Sequence, residues 1–147
     1  MRQIRVAYAG PDGFDEAIAA YTREILGEGY DLRFYSTVYA QELLETAQNH
    51  DVDIFVLFLN SIAFPSGNLP AEKRLEQALK LVIHLKAKYR GAVIGLYAWP
   101  NEPYFANRAK MAGADFVFRA PSEQKEFQAA LEVCLEDVKR EGVQARG

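Results

Sequence analysis

Five short candidate strands alternate along this 147-residue chain with five stretches of helical period, and that alternation limits the fold more than any single motif. The strands are Ile4–Ala9, Asp31–Tyr35, Ile54–Leu59, Ala92–Ala98 and Phe116–Arg119. The third, Ile54-Phe55-Val56-Leu57-Phe58-Leu59, is apolar with no alternation, as expected of a central parallel strand covered on both faces. Val93-Ile94-Gly95-Leu96-Tyr97-Ala98 reads the same way. Between them run apolar stripes at a spacing of three or four residues: Phe14, Ile18, Tyr21 and Ile25; Ala40, Leu43, Leu44 and Ala47; Leu75, Leu79, Val82 and Leu85; Phe105, Ala109 and Ala112; and Phe127, Ala130, Leu131, Cys134 and Val138.

Strict β-α alternation with crossovers of this length implies a parallel sheet with helices on both faces. The expected architecture is a flavodoxin-like, doubly wound α/β domain with five parallel strands in the order 2-1-3-4-5. Gly10-Pro11-Asp12-Gly13 closes the first strand, Gly27-Glu28-Gly29 ends the first helix and Pro70 opens the third. Gly113 suits the left-handed position just past a helix end. A single domain over residues 1–140 and a polar tail over 141–147 are expected, with no linker or repeat between them.

A chain of this length buries about two-thirds of the surface it would expose unfolded, enough for one core. Seventeen basic against twenty acidic residues give a net charge of −3, and the basic ones are scattered, so no nucleic-acid partner is expected. The single cysteine, Cys134, excludes an internal disulfide and fits a reducing compartment. No run approaches the roughly 18 apolar residues of a bilayer span, and the N-terminal text carries no signal-peptide pattern. A cytoplasmic protein without a membrane partner is the expectation.

Ala112-Gly113-Ala114-Asp115-Phe116-Val117-Phe118-Arg119-Ala120-Pro121 reads as a helix end, a tight turn, a short strand and a proline. Together with Val93–Ala98 and Asp53-Ile54-Phe55-Val56-Leu57, it resembles the receiver domain of bacterial response regulators. The resemblance covers nearly the whole chain in element order and is strongest from Ala92 onward. It implies a signalling module of two-component systems that, in active members, is phosphorylated on an aspartate.

The residues that such chemistry requires do not carry over. The phospho-acceptor would fall at Phe58, or at Asn60 if the strand runs longer, and neither forms an acyl phosphate. The acidic pair that holds Mg²⁺ would fall at Ala9 and Gly10, with Asp12 the first available carboxylate. The switch hydroxyl falls at Tyr97, and the lysine before the proline is Ala120, with Arg119 beside it. The resemblance therefore implies a pseudo-receiver, in which Asp12, Asn60, Tyr97 and Ala120 mark the cleft.

Asp12, Asp15 and Glu16 with Asn60 could coordinate a hard cation. The more ordinary reading has Asp12 capping the first helix while Asp15 and Glu16 complement its dipole. The irregular stretch 60–68 carries Ile62 and Phe64, and reads equally as a partner-binding lid or as a segment folded over the sheet edge. Its glycines, like Gly10 and Gly13, match neither dinucleotide-binding nor P-loop spacing. His50 suits a helix C-terminus, His84 lies mid-helix, and neither has a second ligand at metal spacing. Cys134 belongs to an apolar stripe and reads as core. In the Trp99-Pro100-Asn101-Glu102-Pro103-Tyr104-Phe105 loop, Trp99 and Tyr104 are candidate interface residues, since active receivers signal through the adjoining face.

The leading expectation is a non-enzymatic regulatory module that acts by protein contact, with a partner protein or as a homodimer, and without a cofactor. The alternative is a small-ligand module binding a nucleotide, flavin or corrinoid at the carboxyl end of the sheet. Asp12-Gly13-Phe14-Asp15 lacks the histidine of corrinoid domains, so a ligated cobalt is not expected. A small enzyme using Asp12, Glu16, Asn60 and Tyr97 ranks last.

Overall fold

The first two strands pair in parallel along their whole length, from Arg2↔Tyr30 to Ala9↔Thr37. Strand β1 is thus Arg2–Ala9 and β2 Tyr30–Thr37, both longer than their apolar patterns suggest. The extension rests on polar contacts: the buried Thr37 hydroxyl donates to the Tyr8 carbonyl at 2.9 Å, and the Gly10 amide donates to Thr37 O at 3.2 Å. Apolar periodicity does not register residues held in this way.

In a computed structural model of the chain, which describes residues 2–11, 13–58, 70–98, 105–119, 132–133 and 135–136, the remaining elements follow in the expected sequence. Helix α1 is Phe14–Leu26, α2 Ala40–Asn49, β3 Ile54–Phe58, α3 Ala71–Lys88, β4 Val93–Ala98, α4 Phe105–Ala112 and β5 Phe116–Arg119. Residues 132–133 and 135–136 are helical. The five strands form one parallel sheet in the order β2-β1-β3-β4-β5, the doubly wound flavodoxin-like arrangement expected from the alternation. Leu59, at the end of the predicted third strand, and the tail 141–147 lie outside the described residues.

The uninterrupted apolar runs divide by parity into two cores. Phe55, Leu57, Ile94 and Leu96 face α2, α3 and α4, where they pack with Leu43, Val82 and Leu85. Ile54, Val56, Ile4, Val6 and Val93 face the opposite side with Ile18, Leu26 and Leu135. Each fully buried side chain of this size contributes roughly 1.5–3 kcal/mol, so the two cores are the principal stabilising term. Two details depart from the expected stripes. Phe14, predicted as core, is 58% exposed because it occupies the first position of α1, at the rim of the sheet. Leu135 is fully buried, although the stripe through Leu131, Cys134 and Val138 passes beside it; Leu131, Cys134 and Val138 themselves, like Phe127 and Ala130, lie outside the description.

Two aspartates, each immediately before a strand, tie the amino end of the sheet. Asp53 donates its amide to Arg5 O at 2.8 Å and accepts the Arg5 amide on Oδ2 at 2.8 Å. Asp115 repeats the device one strand pair away: its amide donates to Ile94 O at 2.9 Å, and its Oδ2 accepts the Ile94 amide at 2.8 Å. Lys86 of α3 completes the second hook, with Nζ 3.0 Å from Asp115 Oδ2 and 3.1 Å from the Ala92 carbonyl.

Gly113 makes room for this lysine. Its φ is +120°, the Gly113 and Ala114 amides bond Lys110 O and Ala109 O in a Schellman closure, and a Cβ there would lie 2.8 Å from Lys86 Cγ. The Gly-Ala-Asp text is thus a structural joint between α3, α4, β4 and β5.

Replacing Asp115 by Ala leaves the Ile94 amide without its carboxylate acceptor and is expected to cost about 1–3 kcal/mol. Asp115→Asn keeps an acceptor and loses only the half-exposed ion pair, so its cost is expected to fall below ~1 kcal/mol. Urea denaturation with an unchanged m-value distinguishes the two.

Candidate functional site

In an open parallel sheet, ligands bind beyond the carboxyl ends of the strands, where the strand order reverses. Here that point lies between β1 and β3, and Ala9 pairs with Leu57 there. Ala9 is fully buried and Gly10 is buried behind it. Phe58 ends β3 and stands against Gly10 so closely that a Cβ on the glycine would lie 2.8 Å from Phe58 Cδ2 and 2.8 Å from the Tyr8 hydroxyl.

Tyr8, fully buried on β1, is the centre of an aromatic cluster. Its ring meets Phe58 edge-on at 5.4 Å and Phe34 of β2 at 5.9 Å, while Phe14 stacks on Phe58 at 5.8 Å. The Tyr8 hydroxyl donates to the Pro11 carbonyl at 2.7 Å, which satisfies the one polar atom in the cluster. Rings in offset or edge-on contact contribute about 0.5–1.5 kcal/mol per pair beyond their buried area. A side chain introduced at Gly10 would meet the Phe58 ring and the Tyr8 hydroxyl, so a carboxylate there would be desolvated in part against carbon.

Register brings the predicted positions together at backbone level. Phe58 pairs with Tyr97, Tyr97 with Phe118, and Ala98 with Arg119. Of the predicted site residues, Asp12, Asn60, Ala120, Trp99 and Tyr104 lie outside the described residues, as do the Tyr97 side chain and the Ile62–Phe64 stretch. No group of three or more His, Cys, Asp or Glu side chains suited to a metal ion occurs among the described residues.

One expectation is corrected. The N-cap of α1 is Gly13, at φ +98° and without a side-chain cap, rather than Asp12. The carboxylate that serves this turn comes from inside the helix: Asp15 Oδ1 accepts the Gly13 amide at 3.1 Å, and its Oδ2 accepts the Ser36 hydroxyl at 3.0 Å. The positive φ explains the choice, because glycine reaches that conformation without strain. The Ser36 hydrogen bond, aided by backbone amides, holds the Asp15 carboxyl below its ordinary range. His50 is the C-cap of α2, as its position suggests, and its ring stacks on Tyr35 at 4.3 Å, with Nδ1 3.3 Å from the Tyr35 hydroxyl. His84 is exposed on α3.

This fold is the receiver fold of bacterial response regulators. The chain is similar to the signal receiver domain of a DNA-binding response regulator from Colwellia psychrerythraea, with a TM-score of 0.70 and 10% identity over 90% of this chain and 98% of that one. It is also similar to the receiver domain of an HD domain-containing protein from Pseudomonas fluorescens (TM-score 0.63, 17% identity, 95% and 99% covered). A putative pilus assembly protein, cpaE, of Burkholderia thailandensis matches with TM-score 0.63 and 20% identity over 95% and 99%. No family model matches the chain, and no curated protein matches its sequence.

Gly10→Ala is expected to cost about 1–3 kcal/mol through overpacking against Phe58. Combined with Phe58→Ala, its cost is expected to be less than additive, since the cavity accepts the new methyl; chemical denaturation of the four-member cycle measures the coupling. A depressed carboxyl contributes stability above its ordinary pKa, and that contribution is lost as pH falls through the lowered value. Ser36→Ala is accordingly expected to raise the Asp15 pKa toward its ordinary value, which carboxyl chemical shifts followed through an acid titration would report.

Proposed function

We propose that this chain is a receiver-like regulatory module that works through protein contact and undergoes no aspartyl phosphorylation. The observation that carries the reading is the Tyr8–Phe58 cluster closed over Gly10 at the strand-order reversal. In a phosphorylated receiver the corresponding ground holds the acidic residues and the acceptor. Here the described positions offer Ala9, Gly10 and Phe58. No side chain at these three positions can ligate Mg²⁺ or attack a phosphodonor.

The supporting comparisons concern the scaffold. The same fold occurs in receiver domains of response regulators and in proteins described by a role in pilus assembly. A scaffold shared among such different proteins is consistent with a module whose output is binding. A protein partner or a second copy, rather than a cofactor, is then the natural counterpart. Trp99 and Tyr104 remain the proposed contact residues on the β4–α4 side, and Asp12, Asn60, Tyr97 and Ala120 the proposed rim of an inactive cleft.

Incubation with acetyl phosphate and Mg²⁺ is expected to leave the intact mass unchanged, and beryllofluoride with Mg²⁺ to leave the amide spectrum unchanged. A stable adduct of one phosphoryl group would overturn the reading.

A further inference from the structure

Among the described residues, strand β2 is an edge of the sheet, with β1 its one strand neighbour. The Thr37 carbonyl is turned toward β1, where it accepts the Gly10 amide. Because successive residues of a strand turn their amide and carbonyl groups to opposite sides, those of Leu32, Phe34 and Ser36 point along the free edge. At eight residues this edge is long for one that natural proteins leave open. Its first half is guarded by charge, with Arg33 and Asp31 paired at 3.1 Å. Its second half, Phe34-Tyr35-Ser36-Thr37, carries none.

Beside that uncharged half lies an open groove of about 510 Å³, walled by α2 and including Glu42, Glu45 and the Tyr35–His50 stack. Both glutamates are exposed, and no lysine or arginine lines the groove among the described residues. An unpaired main-chain edge next to a negative wall asks for an extended segment that supplies both backbone hydrogen bonds and cations. A second β2 would be a poor occupant, because its Arg33 comes with Asp31 and brings no net positive charge.

We propose that the Leu32–Ser36 edge of β2 takes up an extended, lysine- or arginine-rich segment of a partner protein as a sixth strand, with Glu42 and Glu45 receiving its cations. This rests on the contact-module reading and supplies it with a surface and a partner chemistry.

The test uses the full chain and a labelled decapeptide alternating lysine with valine, followed by fluorescence anisotropy at low salt, with no phosphodonor present. Saturable binding is expected. The exposed-site double variant E42Q/E45Q is expected to weaken it about tenfold. A peptide N-methylated at every residue, which has no amide donor on either edge and cannot complete a ladder, is expected to lose binding altogether. Amide exchange should slow at Leu32, Phe34 and Ser36 when peptide is added. Absence of binding, equal binding of the N-methylated peptide, indifference to E42Q/E45Q, or protection elsewhere would each overturn the proposal. Protection of β2 that rises with protein concentration and needs no peptide would also overturn it, in favour of a second copy. Each of these failures leaves the phosphodonor result untouched, so the edge and the contact-module reading are judged separately.

Discussion

The sheet depends on how its later strands are seated against their neighbours, and a carboxylate does this twice. Asp53 and Asp115 each bond one residue of the adjoining strand through both amide and side chain, Arg5 in one case and Ile94 in the other. Parallel strands have no hairpin to set their register, so each crossover must deliver its strand at the right height by other means. A carboxylate that accepts the neighbour's amide while its own amide donates back fixes that height at a single residue. Once Asp53 is seated, Phe55 and Leu57 fall on one face and Ile54, Val56 and Phe58 on the other. The two cores follow from that register, and so does the position of Phe58 beside Gly10.

The opposite end of the sheet is built on different chemistry. Around the amino ends, charge and backbone hydrogen bonding set positions; at the carboxyl end of β1 and β3, packed rings do. Where Tyr8 and Phe58 pack, a charge placed between the buried rings would carry a desolvation cost. The Tyr8 hydroxyl, in the middle of these rings, donates to Pro11 O at 2.7 Å.

Much of the fold was legible in the text. The unbroken Ile54–Phe58 run announced a central strand, the alternation announced the topology, and Gly113 announced its turn. The limits of β2 were not legible, because Thr37 is held by a hydroxyl bond to a neighbouring strand and not by an apolar pattern. Phe14 was misread for a related reason: a stripe shows which face a residue takes, but not that the first turn of α1 overhangs the sheet. The aspartate hooks did leave a signal, an Asp directly before an apolar run at both Asp53 and Asp115, and only the pairing of strands gives that repetition its meaning. At the candidate site, the resemblance pointed to Ala9 and Gly10 and to Phe58 or Asn60, whereas the interlock of Gly10 with Phe58 depends on where Tyr8 reaches, which no spacing reveals.

A larger residue at Gly10 is tolerated only after Phe58 or Tyr8 has receded, and trimming either ring first opens a cavity in a domain whose total stability is of the order of 5–15 kcal/mol. Any single change of size among these residues thus carries a cost in stability. Gly10, Phe58 and Tyr8 constrain one another, so a change of size at one is accommodated most readily when another changes with it.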